Sequence, residues 1–193
     1  MKTSVKEIQG NWDLGFSLAK HVLSSEYLGV NEQGRKQFGN TIRSEPGEAL
    51  YQLKYQNDWS QVEPLAAALF KDIFPRFEKV GLLIPMPASK IRAKQPVTEV
   101  TKALSQRVNL GVFDNILIKN AGGKQLKDAA DKEEKVAILE GRFSISDEID
   151  GDGPWNALLV DDKIDTGASL EAACNALRKY QKIRKIYVAT ISW

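Results

Sequence analysis

Leu158-Leu159-Val160-Asp161-Asp162-Lys163-Ile164-Asp165-Thr166-Gly167-Ala168-Ser169 decides the reading of this chain. An apolar strand runs into two carboxylates and then into a loop of small and hydroxyl residues. The run Ala157, Leu158, Leu159 and Val160 suits a strand buried on both faces, as in parallel sheets covered by helices. Such a strand delivers its C-terminal residues to the crevice where α/β sheets bind ligands. Thr166, Gly167, Ala168 and Ser169 then offer hydroxyls, little bulk and free backbone N–H groups where the next helix begins. A phosphate dianion would meet hydrogen bonds there together with the positive end of the helix.

Asp161 and Asp162 cannot hold that same phosphate, because like charges repel. They must face something neutral or cationic, and the vicinal hydroxyls of a ribose, or a magnesium ion carried by the substrate, meet that requirement. Apolar strand, acidic pair, short variable stretch and Thr-Gly-Ala-Ser together resemble the signature of the type I phosphoribosyltransferases. In that family the acidic pair binds the ribose hydroxyls of phosphoribosyl pyrophosphate (PRPP), and the loop binds its 5′-phosphate. By position the resemblance gives the first role to Asp161 and Asp162 and the second to Asp165, Thr166, Gly167, Ala168 and Ser169. It implies an α/β fold, a parallel-sheet type I phosphoribosyltransferase core with helices on both faces and a small N-terminal hood. The competing reading is a buried strand whose Asp-Asp end caps a helix, with Thr166 and Ser169 as ordinary turn residues.

A chain of 193 residues accommodates one well-buried domain with a small appended subdomain. Apolar residues at 42% and charged residues at 27% leave no reason to invoke extended disorder. A formal net charge of +2 argues against a dedicated nucleic-acid coat, while a local basic patch could still attract phosphates. No apolar run reaches the length of a membrane span, and Met1-Lys2-Thr3-Ser4-Val5-Lys6 lacks a signal-peptide core, so the expected location is the cytoplasm. The only cysteine, Cys174, shares a helical face with Leu170, Ala173 and Leu177 and reads as core. The only histidine, His21, has no acidic neighbour in sequence and reads as structural or surface rather than catalytic.

From residue 81 onward short apolar runs alternate with helical faces, the pattern of repeated βαβ units. Strands are expected at 81–85, 112–118, 157–160 and 185–192, and helices at 97–108 and 167–180, with a weaker apolar piece at 136–143. The first eighty residues differ. Segments 12–22 and 36–43 read as hairpin strands about a Gly-rich turn, and 47–55 and 62–80 as helices. The expected organisation is a hood or cap over residues 1–80 and an α/β core over 81–193.

Gly47-Glu48-Ala49-Leu50-Tyr51-Gln52-Leu53-Lys54-Tyr55 is similar to the segment ending in Leu-Lys-Tyr that precedes the core in ComF-like proteins. Pro85-Met86-Pro87 with Lys90, Arg92 and Lys94, and Gly141-Arg142-Phe143, resemble two further elements of those proteins. The resemblance spans about residues 45–193 and is to a ComF-like branch that lacks the N-terminal cysteine-rich zinc element. Ser89, Lys90 and Arg92 stand after the first core strand, on the same sheet edge as Asp161, and are the expected pyrophosphate contacts. A solvated basic turn is the alternative. The polar interval 119–135 is either a lid that closes over PRPP, with Lys124, Gln125 and Lys127 facing the ligand, or a solvated loop or helix. Arg178, Lys179, Lys182, Arg184 and Lys185 surround a helix end, where cations favour the negative dipole.

The resemblance implies Mg2+ held mainly through substrate and water, with no direct protein ligand. It also implies attack of a nitrogen acceptor, such as a nucleobase, at C1′ with loss of pyrophosphate, a step of nucleotide metabolism. Asp161 and Asp162 would orient the sugar, and Asp165 would be either a general base or a loop-capping carboxylate. Lys163 replaces the apolar residue usual at its position in the family. A noncatalytic PRPP- or nucleotide-binding regulator, or an accessory in DNA uptake or processing, is compatible with the same fold, as is a homodimer.

Overall fold

A computed structural model describes residues 1–88, 92–120 and 141–193. Its centre is a five-stranded sheet built from β1 (Lys6–Glu7), β2 (Leu14–Ala19), β5 (Val80–Pro85), β8 (Trp155–Lys163) and β9 (Ile183–Ser192). Their order across the sheet is β1-β2-β9-β8-β5. β2, β9, β8 and β5 run parallel, and only β1 is antiparallel. The two-residue β1 closes one edge, leaving little open backbone there for a further strand.

β8 explains the layering. Ala157, Leu158, Leu159 and Val160 are all 0% exposed, because successive side chains point to opposite faces and each face is covered. Leu158 and Val160 pack with Leu18, Tyr187 and Ile191 beneath α1 (Glu45–Tyr55), α2 (Val62–Ala68) and α3 (Pro96–Val108). Ala157 and Leu159 pack with Ile186 and Val188 beneath α4 (Ala168–Arg178) and the short ribbon of β6 (Leu117–Lys119) and β7 (Phe143–Ile145). α4 buries Leu170, Ala173, Cys174 and Leu177, the face expected from their spacing, and burial pushes the Cys174 thiol up to about 12.

Helix α1 starts where the Ser44 side chain accepts a hydrogen bond from the Gly47 N–H at 3.0 Å, an N-cap that satisfies one of the open donors of the first turn. Its face Ala49, Leu50 and Leu53 is buried, which leaves Lys54 in the last turn at the edge of the crevice. α3 begins on Pro96, whose missing N–H costs nothing at a first helical position.

The N-terminal eighty residues depart from the expected cap. Residues 14–19 lie in the central sheet beside β9, not in a hairpin, and all but Leu14 are buried, as in a strand covered on both faces. The hairpin pairs β3 (Val22–Val30) with β4 (Lys36–Arg43) and stands apart from the sheet. The expected helix over 62–80 is shorter: α2 widens into a π-helical turn over Leu69–Ile73, followed by a 3-10 turn at Phe74–Arg76, where Pro75 supplies no N–H to continue the ladder. The expected strand over 112–118 is interrupted as well. Val112 makes an isolated parallel bridge to Leu83, Asp114 and Asn115 form a turn, and only Leu117–Lys119 is a strand, antiparallel to β7. Asp and Asn bond to their own backbone and favour such breaks.

Candidate functional site

The C-terminal ends of β5 and β8 open into a cavity of about 350 Å³. Asp161 and Asp162 stand at its floor, one from each face of β8. Asp161 shares the side of Leu159, facing β6, β7 and the start of α4. Asp162 shares the side of Val160, facing α1. The Asp162 N–H donates to Asp161 Oδ1 at 2.8 Å, which ties the two together across the pleat.

Their partners differ. Lys54 Nζ lies 2.5 Å from Asp162 Oδ2, with both side chains about one-fifth exposed. Burial, and after it the charge of Asp162, push the Asp161 carboxyl up to about 8. Across the cavity, burial and Arg142 hold Lys119 below the usual lysine range, against the opposing pull of Asp161. Lys54, Arg92, Lys119 and Lys163 line the cavity, so four cations meet two carboxylates there among the described residues. That excess favours a polyanion.

The loop after β8 ends at Gly167, whose φ of 83° lies in the left-handed region and which caps α4 without a side chain. A Cβ at Gly167 would meet nothing nearer than 3.8 Å. The demand for glycine is therefore set by the backbone and not by bulk. Ser169 lines the cavity, and its Oγ accepts from Arg142 Nη1 at 3.4 Å. The first turn of the eleven-residue α4 thus points toward the cavity with a guanidinium beside it, a setting suited to an oxyanion.

The expected residues Asp161, Asp162, Arg92 and Ser169 meet in this one cavity, with Thr166, Gly167 and Ala168 forming the adjoining turn. Asp165 is exposed and is not among the lining residues. Ser89 and Lys90, and the expected lid residues Lys124, Gln125 and Lys127, lie outside the described residues. Lys94 sits over the Trp59 ring at 5.7 Å. Three cations at the site had no assigned role in the sequence reading: Lys54, Lys119 and Arg142. Leu53-Lys54-Tyr55 was a recognisable segment, but only the packing of α1 against the sheet brings Lys54 to Asp162.

On the α1 side, His21 Nδ1 lies 3.1 Å from Ser192 Oγ. Burial, then Lys163, Arg43 and Lys54, hold its pKa below the usual histidine value. The basic series around the α4 end is engaged locally: Arg178 with Asn11 and Asp13, Lys182 with Asp147 and Arg184 with Asn156. No helix of the described residues is long and apolar enough to cross a membrane.

No protein-family model matches the chain, and no curated protein matches it in sequence. Solved structures do match in shape. Adenine phosphoribosyltransferase from Trypanosoma brucei, in complex with AMP, pyrophosphate and ribose-5-phosphate, superposes with a TM-score of 0.52 at 12% identity, covering 99% of this chain and 75% of that one. A hypoxanthine phosphoribosyltransferase from Staphylococcus aureus gives a TM-score of 0.41 at 13% identity over 67% of this chain and 61% of its own. A hypothetical protein from Neisseria gonorrhoeae with bound ppGpp gives 0.44 at 12% identity over 68% of this chain and 66% of its own. The match spans less than two thirds of either of the last two proteins. With the sheet order and the trypanosomal superposition taken together, the chain has the mixed α/β architecture, with a parallel-sheet core between helices, of the type I phosphoribosyltransferase fold.

Proposed function

We propose that this chain binds PRPP together with Mg2+ and transfers the phosphoribosyl group to a nitrogen acceptor, with release of pyrophosphate. The observation that carries the reading is the convergence of Asp161, Asp162, Arg92 and Ser169 on one cation-lined cavity at the sheet's C-terminal edge. In this reading the turn from Asp165 to Ser169 and the first turn of α4 hold the 5′-phosphate, while Asp161 and Asp162 orient the ribose hydroxyls. Arg92, with Ser89 and Lys90, takes the pyrophosphate. Lys124, Gln125 and Lys127 are proposed to cover it. Two adjacent carboxylates that reach a cation through water fit Mg2+ brought in on the substrate. When bound, that ion neutralises charge developing on the leaving pyrophosphate.

At C1′ the acceptor nitrogen bonds as the bond to the pyrophosphate oxygen breaks, and the lining cations stabilise the departing charge. The acceptor's proton goes to Asp165 or to solvent. A nucleobase acceptor, a ComF-like affiliation and a cytoplasmic setting belong to the same proposal.

A second reading, a PRPP- or nucleotide-binding regulator without turnover, is favoured by one contact: Lys54 already occupies Asp162, so a carboxylate needed for the ribose is engaged. A role as an accessory in DNA uptake would use the site in the same noncatalytic way. Calorimetry with PRPP, with and without Mg2+, followed by mass spectrometry of pyrophosphate release across a panel of nucleobases and amines, separates these readings. Magnesium-dependent binding with turnover supports the transferase, and binding without turnover supports the regulator. A folded protein that binds neither PRPP nor ribose 5-phosphate overturns both.

A further inference from the structure

Gly10-Asn11-Trp12-Asp13 joins β1 to β2 through a stretch of bends, and its side chains reach across to α4 and to the turn after β8. The Trp12 indole is buried, and its N–H donates to the Ile8 carbonyl at 2.9 Å. A Cβ at Gly10 would stand 2.3 Å from its six-membered ring and one at Gly15 2.4 Å from its Nε1, closer than a side chain can come, so the two glycines admit the ring. Its far edge meets the turn: Cη2 lies 3.9 Å from the place of a Cβ on Gly167. Asn11 holds the helix that follows. Its Nδ2 donates to the Glu171 carbonyl at 2.9 Å and to Asn175 Oδ1 at 2.7 Å, and the Glu171 N–H closes the first turn of α4 on the Gly167 carbonyl. The strap is anchored in the sheet, where Asp13 Oδ2 accepts from the Ile186 N–H at 2.8 Å and Arg178 bridges Asp13 to the Asn11 carbonyl.

Resting on the phosphoribosyl reading of the cavity, we propose that Trp12 and Asn11 are positioning residues for the 5′-phosphate. Neither lines the cavity. They fix the Gly167 turn and the first turn of α4 against the sheet, so that the backbone N–H groups hold one arrangement before the phosphate arrives. Within the turn the Ala168 N–H reaches Thr166 Oγ1 only at 3.5 Å, and Gly167, at a φ of 83°, is the residue type with the widest choice of backbone conformation. Packing from outside therefore has to set the shape, and Trp12 and Ile164 are the side chains nearest to Gly167. Ordering such a turn only on binding would subtract from affinity, whereas a turn locked by a second layer of packing and hydrogen bonds binds without that loss.

The test is fluorine NMR of the full chain labelled with 6-fluorotryptophan, which carries its fluorine on Cη2, beside calorimetry with ribose 5-phosphate and with pyrophosphate and Mg2+. Trp12→Phe assigns the Trp12 resonance by its loss, and saturating ribose 5-phosphate should shift that resonance in the wild type. Trp12→Phe keeps an aromatic ring but removes the edge at Gly167, and Asn11→Ala removes the two hydrogen bonds to α4 from a half-buried position. Each should weaken ribose 5-phosphate binding about tenfold, the worth of one charge-assisted hydrogen bond, with pyrophosphate affinity and far-UV circular dichroism unchanged. A Trp12 resonance that stays in place in the saturated wild type overturns the proposal, and so does unchanged ribose 5-phosphate affinity in either folded variant. A parallel loss for both ligands overturns it too, by marking the strap as support for the whole fold. Wild type that binds neither ligand overturns the phosphoribosyl reading itself, and this role with it.

Discussion

Asp161 and Asp162 are neighbours in sequence and inhabit different chemical settings, because the pleat sends them to opposite faces of β8. On the α4 face the carboxyl looks toward Lys119, Arg142 and the turn at Ser169, and burial raises its pKa. On the α1 face the carboxylate is held by Lys54, with His21 and Lys163 nearby. An Asp-Asp pair at a strand end is thus two sites with two partners, as expected where environment divides the roles of like groups.

The largest way to probe the two faces is to hollow them. Leu158→Ala and Leu159→Ala remove side chains that are both 0% exposed, one from each core, and each should cost about 3 kcal/mol in denaturant unfolding. Similar losses would show that the layers on both sides support β8 alike, whereas a loss under 1 kcal/mol for one would mark that face as loosely packed. Next, Asp161→Asn/Asp162→Asn should weaken PRPP binding by roughly 100-fold in calorimetry, the scale of two lost charge-assisted hydrogen bonds. Single substitutions then ask which face holds the ribose more firmly.

The faces should also titrate in opposite senses. Asp161 has a folded pKa of about 8 against about 3.9 unfolded. Between those values the folded chain keeps a proton that the unfolded chain releases, so its contribution to stability falls as pH rises. His21 is lowered when folded. The unfolded chain therefore takes up that proton first, and stability from this group falls as pH drops below about 6.5. Thermal scans should show Asp161→Asn flattening the fall between about pH 4 and pH 8 by on the order of 5 °C and His21→Asn flattening the fall below about pH 6.5. A profile unchanged by Asp161→Asn would remove the asymmetry between the carboxyls.

Lys54→Met leaves Asp162 without its cation. With both groups about one-fifth exposed, solvent reduces the cost to about 1 kcal/mol. Ribose 5-phosphate binding measured beside it tells whether Lys54 blocks the ribose site or helps fill it: tighter binding supports the regulator-like competition, and weaker binding a direct contact. The smallest effect is expected for Gly167→Ala, about 1 kcal/mol from the left-handed φ alone, because the added methyl has room. A larger loss in thermal unfolding would mean that the turn tolerates no adjustment.

Much of this was legible in the sequence because it is local. The run Ala157 to Val160 could only be a strand covered on both sides, the helical face of α4 followed from the spacing of Leu170, Ala173, Cys174 and Leu177, and the order carboxylates-then-small-residues marked the sheet edge where the cavity opens. The partner of the strand within 12–22 and the end of the helix begun at Val62 are not local properties: period-2 apolar alternation does not say which sheet a strand joins, and a helical pattern can run past a proline that ends it.

By itself the sequence determined the elements of the β8 turn and the position of its glycine, since backbone conformation and side-chain chemistry there depend on residues only a few positions apart. Tertiary structure alone decided that β2 lies beside β9 and that Lys54, 108 positions from Asp162, closes on it. Those outcomes depend on which apolar faces bury one another, a property of the whole packed chain and of no segment within it.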